Sequence, residues 1–202
     1  RERTGRDPAR PALHGDFSLN IANSLAADWA LARGLATVTA SHDLNQAQLD
    51  ALLAHTDPRR IAVTVHHHIA TFHTEHCLYA HLLSDGRDFR TCGRPCEQRQ
   101  VHLRDRVGMQ HPVLVDVGCR NTVFAAQAQS VASLVPGFIA GGVGRLRVEL
   151  VWENRAEATR VMSAYRALCA GTTTPAQVLA QVAVHEQFGV TRGTVRALPV
   201  VT

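Results

Sequence analysis

The sequence predicts an α/β fold of parallel strands alternating with helices, and three observations carry that reading. Short apolar, β-branched runs recur along the chain (LATVTA, IAVTV, VLVDV and RLRVELV). Segments of helical character lie between them, and the intervening turns hold Ser, Asp, Asn and Gly where a strand-to-helix switch needs caps. Counting DFSLNI at the start, strand and helix alternate five times, which implies crossover helices as in an open doubly wound sheet or a (β/α)8 barrel. Five units are too few to close eight strands. The 202 residues, 46% of them hydrophobic, suffice for one substantial core.

Residues 1–15, opening RERTGRDPARPA, are charged, Pro-rich and aperiodic, and read as a linker or the cut edge of a longer protein. The α/β domain is expected over residues 16–171. In DFSLNI, Phe17, Leu19 and Ile21 alternate as in a strand. The helix ANSLAADWALARG follows, with Leu25, Ala26, Trp29 and Ala30 as its apolar side and Gly34 as its stop. LATVTA is the second strand. Ser41 or Asp43 is expected to cap the next helix, which turns Leu49, Leu52 and Leu53 inward until Asp57-Pro58 closes it.

IAVTV, from Ile61, is the third strand and runs into His66, His67 and His68. VLVDV is the fourth, ending at Cys119, with a helix expected from about Val123 to Leu134. The AGGVG turn, Ala140 to Gly144, follows a helix and precedes a strand, so it reads as helix termination rather than a dinucleotide fingerprint. RLRVELV is the fifth strand. ENRAEATRVMSAYRALCAG is the last helix of the series, with Gly171 at its end, and residues 172–202 read as an appendage that loses helical period at Gly189. Ligands of such folds gather where strands end, so Asn20, Ser41, His66 to His68, Cys119 and Trp152 are expected to share one rim.

Composition narrows the function classes. All 21 basic residues are arginine, and the net charge of +4 permits an anionic partner without demanding the polybasic surface of a dedicated nucleic-acid binder. No apolar run approaches the length of a membrane span, and without a signal-peptide pattern the expected location is cytoplasmic. Five cysteines are an odd number, which argues for reduced thiols rather than a disulfide framework.

Four of those cysteines carry the strongest chemical signal. Cys77, Cys92, Cys96 and Cys119 are spaced C-x14-C-x3-C-x22-C, with one close pair and two outliers, which fits a metal centre clasped by several loops better than a zinc ribbon. The CGRPC segment is turn-rich and charged, with little apolar surface to bury a structural cysteine. Cys169 is expected instead to pack in the core with Val161, Met162, Tyr165 and Leu168. The histidines His66, His67, His68, His73, His76 and His81 form a second cluster. Strand alternation places His66 and His68 together, as candidate substrate contacts, and turns His67 elsewhere. Among seven arginines from Arg87 to Arg120, Arg94 and Arg120 adjoin cysteines and are the candidates for holding a carboxylate or phosphate. There is no H-E-x-x-H and no G-x-S-x-G.

The pieces FHTEHC, CGRPC and DVGCRNTVF resemble the cysteine region of the collagenase-like peptidase family, peptidase family U-thirty-two, in its large actinobacterial-type branch. The resemblance extends from about Asp16 to about Gly171. It implies that the chain is the C-terminal portion of a TIM-barrel-like domain, incomplete here, whose partner is the remainder of the barrel or a larger parent chain. It further implies a [4Fe-4S] cluster on Cys77, Cys92, Cys96 and Cys119, with zinc as the rival occupant of the same thiolates. Several members of that family assist oxygen-independent hydroxylation of RNA bases or a quinone precursor, with prephenate as oxygen source. By that likeness His73 is the candidate catalytic residue, and Arg94 and Arg120 are the candidate anion contacts. Here FHTEHC replaces the more widespread histidine-Gly-Ala-x-Cys pattern. Proteolysis, and a non-catalytic metal-stabilised module that binds RNA or protein, are the alternative readings.

Overall fold

A computed structural model describes residues 11–183. Its elements run β1 (His14–Gly15), α1 (Ser24–Ala32), β2 (Thr37–Thr39), α2 (Gln46–Ala54), β3 (Ile61–His67), β4 (Ala70–Thr74), α3 (Leu78–Leu83), β5 (Val101–Arg104) and β6 (Gln110–Val115). They continue with β7 (Asn121–Phe124), β8 (Gln129–Ser130), α4 (Val135–Ala140), β9 (Arg145–Val148), α5 (Arg155–Cys169) and α6 (Pro175–Ala183). β1, β2, β3 and β9 pair in parallel, and β8 adds antiparallel to the end of β3. These strands alternate with helices but do not close into a barrel, an architecture consistent with a partial TIM-barrel-like domain. Among the described residues no helix is long and apolar enough to cross a membrane.

A second sheet, ordered β4-β7-β6-β5 and antiparallel throughout, is inserted between β3 and β8. VLVDV was expected as the fourth parallel strand; Val113 to Val115 lie instead in β6, hydrogen-bonded to β5 and β7, and Asp116 and Val117 belong to the turn that follows. The connections explain why. The turns at Asp105–Met109 and Asp116–Arg120 close with backbone bonds of 3.0 and 2.9 Å, and such tight links can join only antiparallel neighbours. Cys119 therefore sits in a hairpin turn of this second sheet and not at the end of a parallel strand.

The helix expected from Val123 to Leu134 is likewise replaced, by β7, β8 and a short 3-10 turn, Ala132–Leu134. The α-helix starts at Val135, because Pro136 is tolerated in a first turn but not in a helix interior. At the other end DFSLNI is not a strand. Asp16 caps a 3-10 turn, Phe17–Leu19, by accepting from Phe17 N at 2.7 Å, and Asn20 closes it in the left-handed region, so Ile21 alone bridges to Ala40.

The main core lies between the parallel sheet and its helices. α1 presents Ala27, Ala30 and Leu31 to it rather than Leu25 and Trp29, since small residues let the helix approach the strands closely. Trp29, 61% exposed, is covered instead by the Arg33 guanidinium at 3.4 Å from the ring centroid. α2 is capped by Asn45, not Ser41 or Asp43, in a reciprocal capping box with Gln48, and it buries Leu49 and Leu52. α5 contributes Val161, Ala164, Tyr165 and Leu168; Met162 and Cys169 face outward, so the core role expected of Cys169 is not observed. α6, in the segment read as an appendage, seats Val178 and Val182 in this same core. The loss of period at Gly189 lies outside the described residues.

Gly144 sets the start of β9 against the chain entering β3. Its N–H donates to Pro58 O at 2.9 Å, and a Cβ there would stand 1.9 Å from Arg59 O, a backbone atom that cannot swing away. Gly144→Ala is expected to destabilise by about 1–3 kcal/mol or more through this overpacking. Gly137→Ala, whose Cβ meets nothing within 4 Å, should be neutral or stabilising by about 0.4–1 kcal/mol. Urea midpoints of the two variants compare the effects directly.

Candidate functional site

The cysteine region is built on the antiparallel sheet. Cys77 is the N-cap of α3, its Sγ accepting from Ala80 N at 3.5 Å, and Cys96 lies in the 3-10 turn Pro95–Glu97. Both pack against a small core of Tyr79, Val101, Val113 and Val123. Tyr79 anchors it: its hydroxyl donates to Val113 O at 2.7 Å and accepts from Val101 N at 3.3 Å. Cys92 follows a loop wound on itself, in which Asp88 accepts from the N–H groups of Arg90 and Thr91 and the Thr91 hydroxyl accepts from Arg87 N. Cys119 holds a left-handed backbone in the turn that the Asp116 carboxylate braces through Gly118 N and Arg120 N.

One residue joins two of these segments. Asn121, fully buried, accepts from Leu78 N at 2.7 Å and donates to Cys119 O at 3.3 Å, so it clasps the start of α3, next to Cys77, to the Cys119 turn. All four thiols are half-buried and none is in a disulfide. Burial pushes the Cys96 thiol up, and the neighbouring Cys77, Glu97 and Cys92 add to the shift. Among the described residues, the group of three potential ligating atoms lying within 4.8 Å of one another is His42, His67 and Glu149; the four thiols do not reach that spacing.

The remaining candidates around the cysteines are exposed. His73 faces solvent on β4 with Nδ1 3.1 Å from Thr122 Oγ1. Arg94, itself in the left-handed region, pairs with Glu97 at 3.3 Å, both side chains more than half exposed, a weak contact readily exchanged for another anion. Arg120 is held more firmly, by two contacts to Asp116 of 2.9 and 2.7 Å. His76, before α3, and His81, on it, lie ring to ring at 5.2 Å.

The other part of the expected rim forms at the ends of the parallel strands. Ser41 Oγ donates to Asn20 Oδ1 at 2.8 Å. His66, His67 and His68 are all at most 3% exposed. The rings of His66 and His68 lie 6.5 Å apart while His67 turns to His42, at 4.1 Å between centroids. Trp152 packs on His68 at 3.9 Å and also touches Phe124 of the second sheet. Desolvation lowers His66 to about 4 and His67 to about 3, so both rings are neutral at ordinary pH with a lone pair to offer.

Glu153, not singled out by the sequence reading, closes this rim. Its carboxylate is 3.3 Å from His68 Nε2 and accepts from Val151 N and Trp152 N at 2.7 and 3.1 Å. Burial by itself would raise the group, but these hydrogen bonds outweigh it and hold Glu153 at about 2. A carboxyl depressed from an ordinary value near 4.5 contributes stability that is present above that value and is lost as pH falls toward 2. The contribution is on the order of 3 kcal/mol. Glu153→Gln is expected to flatten the stability profile between about pH 4.5 and 2, measured by urea unfolding across that range.

His42, Glu149, Tyr79 and Asn121 were also missed. The rule that sites collect just past strand ends, carried one residue beyond Ser41, would have reached His42; Glu149 stands inside the run RLRVELV and was hidden because β9 ends early, at Val148. Asn121 stands inside the cysteine run itself, where only its polar character in an apolar context marks it. The sequence model described as peptidase family U32 matches residues 7–187 of the chain. No curated protein and no solved structure matches it.

Proposed function

The chain belongs to peptidase family U32, and from that premise we propose that Cys77, Cys92, Cys96 and Cys119 hold one [4Fe-4S] cluster and that the protein assists oxygen-independent hydroxylation of an RNA base or a quinone-type substrate. The observation that carries the reading is the Asn121 clasp. A fully buried amide spent on tying the Cys77 helix to the Cys119 turn is what a centre shared between separate loops requires. The donor set agrees with it, being four half-buried free thiols, with Cys77 and Cys92 near enough to Cys96 to help push that thiol up. The thiols are not gathered within 4.8 Å of one another, so the loops that carry them close together when the cluster binds.

When bound, such a cluster supplies electron transfer. The chain's own residues bind and orient. Arg94, loosely paired and exposed between two cysteines, offers its planar fork to a dicarboxylate of the prephenate type, and Arg120 is stiffened by Asp116 beside it. His73, fixed through Thr122 on the exposed face of β4, is the group positioned to pass a proton.

Iron and sulfide analysis of anaerobically purified protein tests the cluster, with about four of each per chain expected. A colourless protein holding one zinc per chain would sink it. Arg94→Ala should retain the iron yet lose the hydroxylated product, and Arg94→Lys should rescue poorly because a point charge cannot reproduce the fork. Mass spectrometry of nucleosides and quinones from a deletion strain tests the reaction. An unchanged set of hydroxylated species, together with peptide cleavage by cluster-free protein, would support the peptidase reading instead.

A further inference from the structure

We propose that His42, His67 and Glu149 form a binding site for one divalent first-row transition-metal ion, separate from the cysteines and placed at the C-terminal ends of the parallel strands. The topology brings the three together from three adjacent strands. His67 is the last residue of β3, Glu149 directly follows β9, and His42 lies just past β2. Glu149 N donates to His66 O at 2.8 Å, extending the β3–β9 pairing by one step and so laying the carboxylate beside His67. His42 Nε2 is 3.9 Å from Glu149 Oε1, and one potential ligand atom from each of the three residues lies within 4.8 Å of the others.

A second observation points to a ligand. His67 is 1% exposed, and neither of its ring nitrogens has a hydrogen-bond partner. An orphaned imidazole of this kind is costly to bury unless something engages it. The cavity it borders, about 20 Å³ in volume, is also lined by Ser41, His42, Thr64 and Gln129, and the Gln129 Oε1 atom is buried without a partner as well. That volume accommodates about one water.

The donor set selects the ion class. Two imidazoles and one carboxylate are the ligands of zinc hydrolytic sites and of non-haem iron sites, whereas magnesium and calcium demand oxygen. Bonds of about 2.0–2.1 Å require donors roughly 3–3.5 Å apart, so the ligands close by the order of 1 Å on binding. Three protein ligands leave room in the coordination shell, and the cavity beside His67 is placed to hold the completing water against Gln129. Phe17 stacks on His42 at 4.7 Å and holds its ring, while the Thr64 hydroxyl, 3.2 Å from the same His42 Nε2, gives up that contact when the metal takes the nitrogen. Arg147 contacts Glu149 at 2.8 Å and also Asp16, so it keeps one carboxylate partner when the metal takes the other. Burial and the Arg147 charge lower His42, and burial lowers His67, which favours the neutral, ligating ring in both.

Cobalt(II) titration of the full chain tests the site, because thiolate ligation gives charge-transfer bands in the near ultraviolet that nitrogen and oxygen ligation does not. One equivalent of cobalt with visible ligand-field bands is expected beyond any that the cysteines take with a thiolate band. That component should persist in Cys96→Ala. It should weaken about 100-fold or more in His42→Gln and in Glu149→Gln, two half-buried positions whose variants keep the side-chain size. Circular dichroism of each variant checks the fold, and the second variant decides if the first does not fold. Cobalt bound only with thiolate bands, cobalt bound equally by both variants, or no cobalt bound would each overturn the proposal.

Discussion

Asn121→Ala is expected to lower both stability and metal content. The substitution strands the N–H of Leu78 and the carbonyl of Cys119, each in a half-buried setting, and removes two hydrogen bonds at once. The combined cost is about 2–4 kcal/mol. Because the clasp joins the helix capped by Cys77 to the Cys119 turn, the same change frees those two thiols relative to each other, and iron per chain after anaerobic purification should fall with the urea midpoint. A variant that loses stability and keeps its full complement of iron would show that Asn121 serves the sheet alone.

Gly86→Ala is the second large effect, and it reaches Cys92 through the backbone. A Cβ on Gly86 would lie 2.3 Å from the Thr91 carbonyl carbon and oxygen and 2.5 Å from Cys92 Cα. No side chain can rotate to relieve that contact. The loop is wound tight by Asp88 and Thr91, so the clash is expected to push the Thr91–Cys92 backbone outward as a unit. The stability cost should be about 1–3 kcal/mol, and the iron content should fall much further than that cost alone explains. Gly93→Ala offers a contrast, since nothing lies within 4 Å of its Cβ and only its positive φ resists the change. Comparing metal content in the two variants at matched stability separates displacement of Cys92 from general loosening.

Residue pattern alone made much of the parallel half of this molecule predictable. β2, β3, β9, α1, α2 and α5 fall where apolar runs and turn residues put them, though α2 takes Asn45 and not Ser41 or Asp43 as its cap, because those signals are local: a β-branched run, an Asn before a helix, a Gly after it. The four cysteines and the family resemblance also depend only on spacing and residue identity, and the family match over residues 7–187 agrees with that resemblance. The pairing of VLVDV was not predictable in this way. An apolar run of five residues suits a parallel or an antiparallel neighbour equally, and the choice was made by the short turns on either side of it.

What the sequence determined by itself was therefore the alternating α/β character, the family, and which residue types are available for chemistry. Tertiary structure alone decided that the cysteines belong to a separate antiparallel sheet, that Cys169 and Trp29 face outward, and that His42, His67 and Glu149 meet. The physical reason is the range of the interactions. Caps, turns and periodicity act over a few residues, whereas the Asn121 clasp spans 43 positions and the meeting of His42 with Glu149 depends on strand order in the sheet. Long-range pairings of this kind arise only when the packed sheets bring distant segments to the same place.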